Sequence, residues 1–292
     1  MTAPVAVLEI GGTHVTAALV HHRVLPGRTR ASLAGDASAD AIIDAIVTAA
    51  RGLGPAPRWA VAVPGPFDYA TGTALFHGVG KFDALHGVNL REVLLGSLDG
   101  AESVVFLNDA NAFLLGEVWA GAAAGHRRAV AITLGTGVGS AFADNGSVVE
   151  DGPGVPPEGR ADLLTFNGRP LEETVSRRAI RAAYERATGV PAPDVHDIAD
   201  RARAGDQAAT EVLHRAFHAL GATLAPWVAA FEATVLVVGG SMAGSWDLVA
   251  GPLREGVAVD SLAITPAAHP EDAALLGAAH LDHGILTART RR

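Results

Sequence analysis

Short apolar runs alternate along this chain with longer stretches of helical periodicity, the pattern of an α/β protein. Residues 5–10 predict a strand, Gly11 and Gly12 a turn, and residues 15–20 the returning strand. A helix follows over about 39–50. Asp36 and Ser38 stand near its cap, and Ile42, Ile43 and Ile46 share its apolar face. Residues 59–63 and 104–107 read as buried strands, and 109–123 as a helix that ends near Gly125.

Beyond Gly125 the pattern begins again. Residues 129–134 predict a strand, Gly135-Thr136-Gly137 a turn, and 139–143 a returning strand that stops at the hairpin signal Asp144-Asn145-Gly146. This repeats the strand, glycine turn and strand of residues 5–20, which reads as an internal duplication. Residues 151–170 are rich in Gly and Pro and form the longest irregular stretch. Helices are expected at about 171–187, 195–204 and 206–232, a strand at 234–238 stopping at Gly239-Gly240, and a last helix at about 273–286. No low-complexity linker divides the chain, so its two halves are expected to pack across a cleft.

Composition narrows the picture. Hydrophobic residues make up 49% of the 292, enough for a full core, which excludes a mainly disordered chain. The net charge of −9 argues against a general nucleic-acid binder, which needs a basic footprint. The chain contains no cysteine, so disulfides and thiolate metal sites are impossible, in keeping with a reducing compartment. The opening MTAPVAVLEI lacks a charged leader region, and the apolar stretch 220–240 is interrupted by Pro226 and Glu232. A cytoplasmic protein without a membrane span is expected.

Gly135-Thr136-Gly137-Val138-Gly139 is not a dinucleotide-binding loop, because a strand rather than a helix follows it. Gly80-Lys81 is not a phosphate-binding P-loop either: Leu75 and Phe82 occupy the places of its first glycine and its hydroxyl residue. Two glycine hairpins remain, one in each half. Each alone reads as an ordinary tight turn, but as a repeated pair their backbone amides could clasp a polyphosphate. Asp109, in Phe106-Leu107-Asn108-Asp109, stands where a buried strand gives way to a helix. It could take a proton from a substrate hydroxyl while Asn108 holds a neighbouring one, or it could simply cap the helix; position alone leaves both open. His214 and His218 share a helix face without a third metal ligand nearby in sequence, His21-His22 fall at a turn, and Trp227 with Phe231 read as core.

Several motifs, in order along nearly the whole chain, resemble those of the ROK family of sugar kinases and repressors. Glu9-Ile10-Gly11-Gly12-Thr13 is similar to the first phosphate motif, Val63-Pro64-Gly65-Pro66 to the sugar-side Pro-Gly turn, and Gly87-Val88-Asn89-Leu90 to the segment after it. Leu107-Asn108-Asp109-Ala110 resembles the catalytic Asn-Asp motif, and Leu134 to Gly139 the second phosphate motif. Val238-Gly239-Gly240-Ser241 resembles the adenosine-side glycines, and the run from Ala274 to Ala279 the last helix. The resemblance implies a two-domain, actin-like (ribonuclease H-like) α/β fold. Residues 1–107, completed by 271–292, would form one domain and 108–270 the other. It also implies ATP with Mg²⁺, a homodimer, and phosphorylation of a primary hydroxyl of a hexose or hexose-like ring. Asp109 would be the general base. Gly11, Gly12, Thr13, Gly135, Thr136, Gly137, Gly239 and Gly240 would bind ATP, and Gly65, Asn108, Asp109, Glu158, Arg160 and Glu172 the acceptor.

The departures from the family pattern fall mainly on the acceptor side. Glu9 replaces the usual Asp. The family's Glu-x-Gly-His segment reads Pro157-Glu158-Gly159-Arg160, so the zinc-binding His is Arg160, and no Cys follows. Lys81 stands near the place of a usual Asn. No zinc is therefore expected. The loop would be ordered by other means, such as a bridge from Arg160 to Glu158 or Glu172. An amino sugar or a cyclitol is the alternative acceptor. A sugar-sensing regulator is the alternative of another class, disfavoured by the acidic balance and by the eight residues preceding Glu9.

Overall fold

The computed structural model describes residues 4–192 and 194–290, with side chains described up to residue 281. It divides into two compact units, Met1–Ala120 with Glu271–Arg292, and Gly121–Pro270. In the first unit, β1 (Val5–Ile10) forms an antiparallel hairpin with β2 (His14–His21), which pairs antiparallel with β3 (Val24–Ser32). The helix α1 (Ala39–Arg51) follows, capped by Ser38 and burying Ile42, Ile46 and Val47. The strand β4 (Arg58–Val63) lies parallel to β1. Beyond the two-residue strands β5 (Phe67–Asp68) and β6 (Thr73–Ala74) come α2 (Leu90–Ser97) and β7 (Ser103–Asn108), which lies parallel to β4. The sheet order is β3-β2-β1-β4-β7, and α3 (Asp109–Ala120) leaves its last strand directly.

The second unit repeats the scheme. Strands β8 (Arg128–Leu134), β9 (Val138–Asp144) and β10 (Ser147–Val148) form the antiparallel part. A small hairpin, β11 (Thr165–Phe166) with β12 (Arg169–Pro170), leads to α4 (Glu172–Val175), α5 (Arg177–Thr188), α6 (Val195–Arg203) and α7 (Gln207–Ala230). β13 (Val235–Gly239) runs parallel to β8 and, after α8 (Trp246–Val257), β14 (Ala263–Pro266) runs parallel to β13. The order β10-β9-β8-β13-β14 reproduces that of the first sheet, strand for strand. The duplication read from the two glycine hairpins is thus a duplication of the whole sheet. α9 (Ala273–Thr290) then returns to the first unit and packs on α3.

The differences from the sequence reading have local causes. The expected boundary at 107/108 moves to 120/121, because α3 packs with α9 in the first unit and brings Asp109 with it. β3 was not foreseen: it carries Pro26 and Gly27, which the free edge of a sheet tolerates. α8, which contains Gly251 and Pro252, and the edge strand β14 were missed for the same reason. The helix expected at 171–187 is broken at Ser176, whose buried hydroxyl accepts from the Ala179 amide and starts α5 afresh.

The seam between α3 and α9 is a backbone-to-backbone contact. A Cβ on Gly277 would stand 1.8 Å from the Ala112 carbonyl oxygen, and one on Gly116 1.9 Å from that of Ala273. Small residues four apart on each helix, meeting in reversed order, make the pair antiparallel and close. Gly277→Ala must therefore spread the helices and cost about 1–3 kcal/mol of stability, the usual penalty for overpacking. Gly96→Ala, on the exposed face of α2 with nothing within 4 Å, should instead gain about 0.5–1 kcal/mol. Urea denaturation of the two variants checks both signs.

Candidate functional site

In the first unit the predicted residues gather at the ends of β1, β4 and β7. The β1–β2 turn is closed by the Gly11 amide donating to the His14 carbonyl at 2.9 Å, which leaves Gly12 and Thr13 exposed. Gly65 follows β4, next to Tyr69: a Cβ there would meet the Tyr69 hydroxyl at 3.5 Å. Tyr69, which the sequence reading did not single out, ties two strand ends together. Its hydroxyl donates to the Val63 carbonyl at 3.3 Å and accepts from Asn108 Nδ2 at 3.2 Å. Its proximity could not have been read from spacing, since 39 residues separate it from Asn108.

The cap of α3 comes from the residue before Asp109. Asn108 Oδ1 accepts from the Ala110 and Asn111 amides at 2.9 and 3.2 Å, so Asn108 performs the capping. Asp109 Oδ1 shares the Ala110 amide at 2.9 Å, but its carboxylate is not needed to terminate the helix. Although the residue keeps some accessible surface, its carboxyl is crowded by protein. Burial pushes its pKa up, while the Lys81 charge and the hydrogen bonds from Ala110 and Asn108 pull it back. Glu9, on β1, is raised to about 7, first by burial and then by Asp109; Asp272 adds to the rise and Arg30 opposes it.

The second unit gathers the other glycines. The Gly135 amide donates to the Gly137 carbonyl at 3.1 Å, and the Gly135 carbonyl accepts from the Arg177 amide at 3.1 Å, tying the turn to the start of α5. Glu172 lies against it: a Cβ on Gly137 would come within 2.8 Å of Glu172 Oε1. Gly240, which follows Gly239 at the end of β13, has φ +81° and would bring a Cβ within 2.3 Å of the Leu134 carbonyl, so only glycine fits. Ser241 stands near Gly135 and, with Arg177, Asp194, His196 and Met242, lines a cavity of about 110 Å³. A larger cavity of about 780 Å³, between the β11–β12 hairpin, α5 and α7, holds none of the predicted site residues.

In the loop expected to shape the acceptor side, Arg160 makes the expected bridge to Glu158 at 4.0 Å, and it has a closer partner that was not expected: it pairs in two-pronged fashion with Asp162, at 2.7 and 3.3 Å, while Glu172 acts on it through charge alone. The Glu158 side chain is 77% exposed. Ser140 Oγ fastens the loop, donating to the Gly159 carbonyl at 2.5 Å and accepting from the Ala161 amide at 2.8 Å. Asp162 and Ser140 escaped the sequence reading because neither belongs to a recognisable motif. His214 pairs with Glu255 at 2.9 Å and stacks on His218. Among the described residues, no group of three or more His, Cys, Asp or Glu is arranged to hold a metal ion, and no helix is long and apolar enough to cross a membrane.

Two units, each with an antiparallel hairpin leading into parallel strands, define an actin-like ATPase fold, and solved structures share it over almost the whole chain. The ROK family profile matches residues 5–285, and the chain belongs to the ROK family. It is 29% identical to the glucokinase of Thermotoga maritima over 94% of this chain and 95% of that protein. A ROK hexokinase from Thermus thermophilus superposes with a TM-score of 0.80 at 24% identity, over 97% of this chain and 99% of that one. A ROK family glucokinase from Streptomyces griseus, solved in complex with glucose and AMPPNP, gives a TM-score of 0.76 at 23% identity, over 96% and 99% of the two chains.

The raised Glu9 pKa makes stability depend on pH. The folded state holds this proton more tightly than the unfolded chain, whose carboxyl titrates near 4.5. The stabilisation is therefore complete below pH 4.5 and is lost as the pH rises through about 7. Other carboxylates titrate too, so the difference between wild type and Glu9→Gln isolates the effect. Wild type should lose up to about 2–3 kcal/mol relative to Glu9→Gln between pH 5 and pH 8. Denaturant titrations at the two pH values check it, and parallel curves would remove Glu9 as the source.

Proposed function

We propose that this ROK-family sugar kinase transfers the γ-phosphoryl group of ATP to a primary hydroxyl of a hexose or hexose-like ring, with Asp109 as the general base. The carrying observation is that Asn108 takes over the capping of α3 and leaves a crowded, pKa-raised carboxylate at the end of β7. Glucose and AMPPNP in the Streptomyces griseus glucokinase, and the glucokinase activity named for the Thermotoga maritima protein, support the substrate class. A carboxylate with a raised pKa is a better proton acceptor than an ordinary one, which suits abstraction from a weakly acidic hydroxyl. Tyr69 fixes the Asn108 amide, so that the strand end presenting Asp109 is held at both residues.

The amides of Gly12 and Thr13 in the first unit, and of Thr136 and Gly137 in the second, are the proposed phosphate ligands, in turns that the Gly11 and Gly135 amides close. Gly239 and Gly240 with the adjoining cavity are the proposed adenosine side. Glu172 and Gly65 are proposed to face the acceptor. The placement of Glu158 and the tie of Arg160 to Asp162 give this loop a different acceptor surface, which keeps an amino sugar or cyclitol as the second reading. Magnesium fits the first unit. Among the described residues Glu9 makes no ion pair, and it is pushed up by Asp109 and Asp272, a repulsion that a divalent cation would relieve. Glu9, at the end of β1 before the glycine turn, would hold Mg²⁺, which would supply charge neutralisation for the phosphate oxygens and leave Asp109 free as the base.

Asp109→Asn should lower kcat by about 10²–10⁴ while sugar and nucleotide still bind. A coupled ADP-release assay across sugars, amino sugars and cyclitols, with calorimetry for binding, checks this and ranks the acceptors; near-normal turnover would remove Asp109 from the proposed chemistry. Zinc is not needed on this reading, because Ser140 and the Arg160–Asp162 pair do the fastening at the loop. Elemental analysis should find well under one zinc per chain, and Ser140→Ala should loosen the 154–164 loop to proteolysis without any metal being lost. About one tightly held zinc per chain would contradict it.

A further inference from the structure

Of the 22 lysine and arginine residues in this chain, Lys81 alone is a lysine. Everywhere else a cation is wanted, the sequence uses the broad, fork-shaped guanidinium; here it keeps the compact ammonium that serves as a point charge for phosphate. The position is fixed from both sides. Lys81 follows Gly80, and the amides of Val79 and Gly80 donate to the Asp83 carboxylate at 3.1 and 3.2 Å. Phe82 adopts a left-handed conformation with φ +61°, its ring fully buried 5.2 Å from Phe76. Its amide donates to the Gly35 carbonyl at 2.5 Å. So strained a residue on a bulky side chain persists only where its surroundings impose it.

This anchoring lays the lysine stem along the first glycine turn. A Cβ on Gly12 would lie 4.0 Å from Lys81 Cδ, and one on Gly35 would lie 3.3 Å from Lys81 Cβ and 3.2 Å from the Gly12 carbonyl. The charge also reaches Asp109, whose carboxyl it stabilises. Among the described residues no hydrogen bond or salt bridge ties up the ammonium, whereas Arg28, Arg128, Arg160 and Arg203 are all paired with carboxylates. Lys81 is thus half-buried, held in place by its backbone, and left with its donors free between a phosphate turn and a base.

We propose that Lys81 Nζ contacts the phosphoryl group in transfer, from a place between the Gly11 to Thr13 turn and Asp109; this rests on the kinase reading given above. The acceptor hydroxyl gives its proton to Asp109, and its oxygen forms the new bond to the γ-phosphorus. The bond from that phosphorus to the bridging oxygen breaks, and the electron pair leaves on the β-phosphate of ADP. Lys81 takes no part in the proton transfer. It offsets charge on the equatorial oxygens of the phosphoryl group, which is where charge is spread in such transfers. In sequence Lys81 is only a departure on the sugar side; its stem beside Gly12 is what points to the phosphate.

The single lysine makes the test direct. Reductive methylation with ¹³C-formaldehyde yields one lysine dimethylammonium signal besides that of the N-terminal amine, and Lys81→Arg identifies it by its loss. The Lys81 signal should shift with AMPPNP and Mg²⁺, shift less with ADP, and stay in place with glucose alone. In turnover, Lys81→Met should lower kcat roughly 10²-fold, in line with loss of one preorganised donor. Its KM for sugar and for ATP should stay within about threefold, and Lys81→Arg should recover part of kcat. A signal indifferent to AMPPNP, or a loss confined to the sugar KM, would overturn the proposal. If the wild-type protein phosphorylates no acceptor in the panel, the kinase reading fails, and the methyl signal alone still decides whether Lys81 meets the nucleotide's phosphates.

Discussion

The close approach of α3 and α9 is the constraint on which the first unit depends. Carbonyl oxygens of Ala112 and Ala273 occupy the space that side chains on Gly277 and Gly116 would need. The seam therefore locks α3 in position and direction, and with it Asp109, the helix's first residue. The same seam brings the start of α9 to the sheet, where Asp272 accepts from Arg28 on β3 at 2.8 Å. Asp109 and Asp272 consequently come near enough to Glu9 to raise its proton affinity. A packing feature made wholly of small residues thus sets the electrostatics of the site.

That electrostatic setting is balanced rather than relieved. Burial drives both Glu9 and Asp109 upward, and the cations placed against them, Arg30 and Lys81, only partly offset it. A carboxylate fully paired with an arginine would be a poor proton acceptor, and one left in apolar surroundings without a cation would stay protonated. Asp109 lies near a lysine that does not bond it, the intermediate condition that the proposed base would need.

How much was legible in the sequence follows from the range of the interactions involved. The hairpins, the buried strands and the helices with clean caps were readable, because hydrophobic periodicity and capping are local signals. The order of motifs carried the family. What escaped were edge elements whose composition breaks the rules of the interior: β3 with Pro26 and Gly27, and α8 with Pro252. The domain boundary was placed too early because the helix after Asn108 looked like the start of something new, whereas its partner α9 lies more than 150 residues further along. At the site, Tyr69, Ser140 and Asp162 act through contacts that no spacing announces, and only the structure shows that Asn108 takes the first amides of α3.

The loop of the second unit shows how ordinary contacts order a long irregular stretch. Gly154, at φ +75°, sits so close to Phe231 that a Cβ would come within 2.1 Å of its amide nitrogen. Val155 and Ala161 are buried, Ser140 holds the backbone on both sides of Arg160, and Arg160 is turned toward Asp162. Each of these ties is weaker than a metal site, but they act at separate points and together fix the chain. Arg160 is held chiefly by Asp162, whereas the Glu158 side chain stands mostly in solvent. Glu172, by contrast, is packed against the Gly135 to Gly137 turn, so of the three it is the one whose place the fold itself fixes.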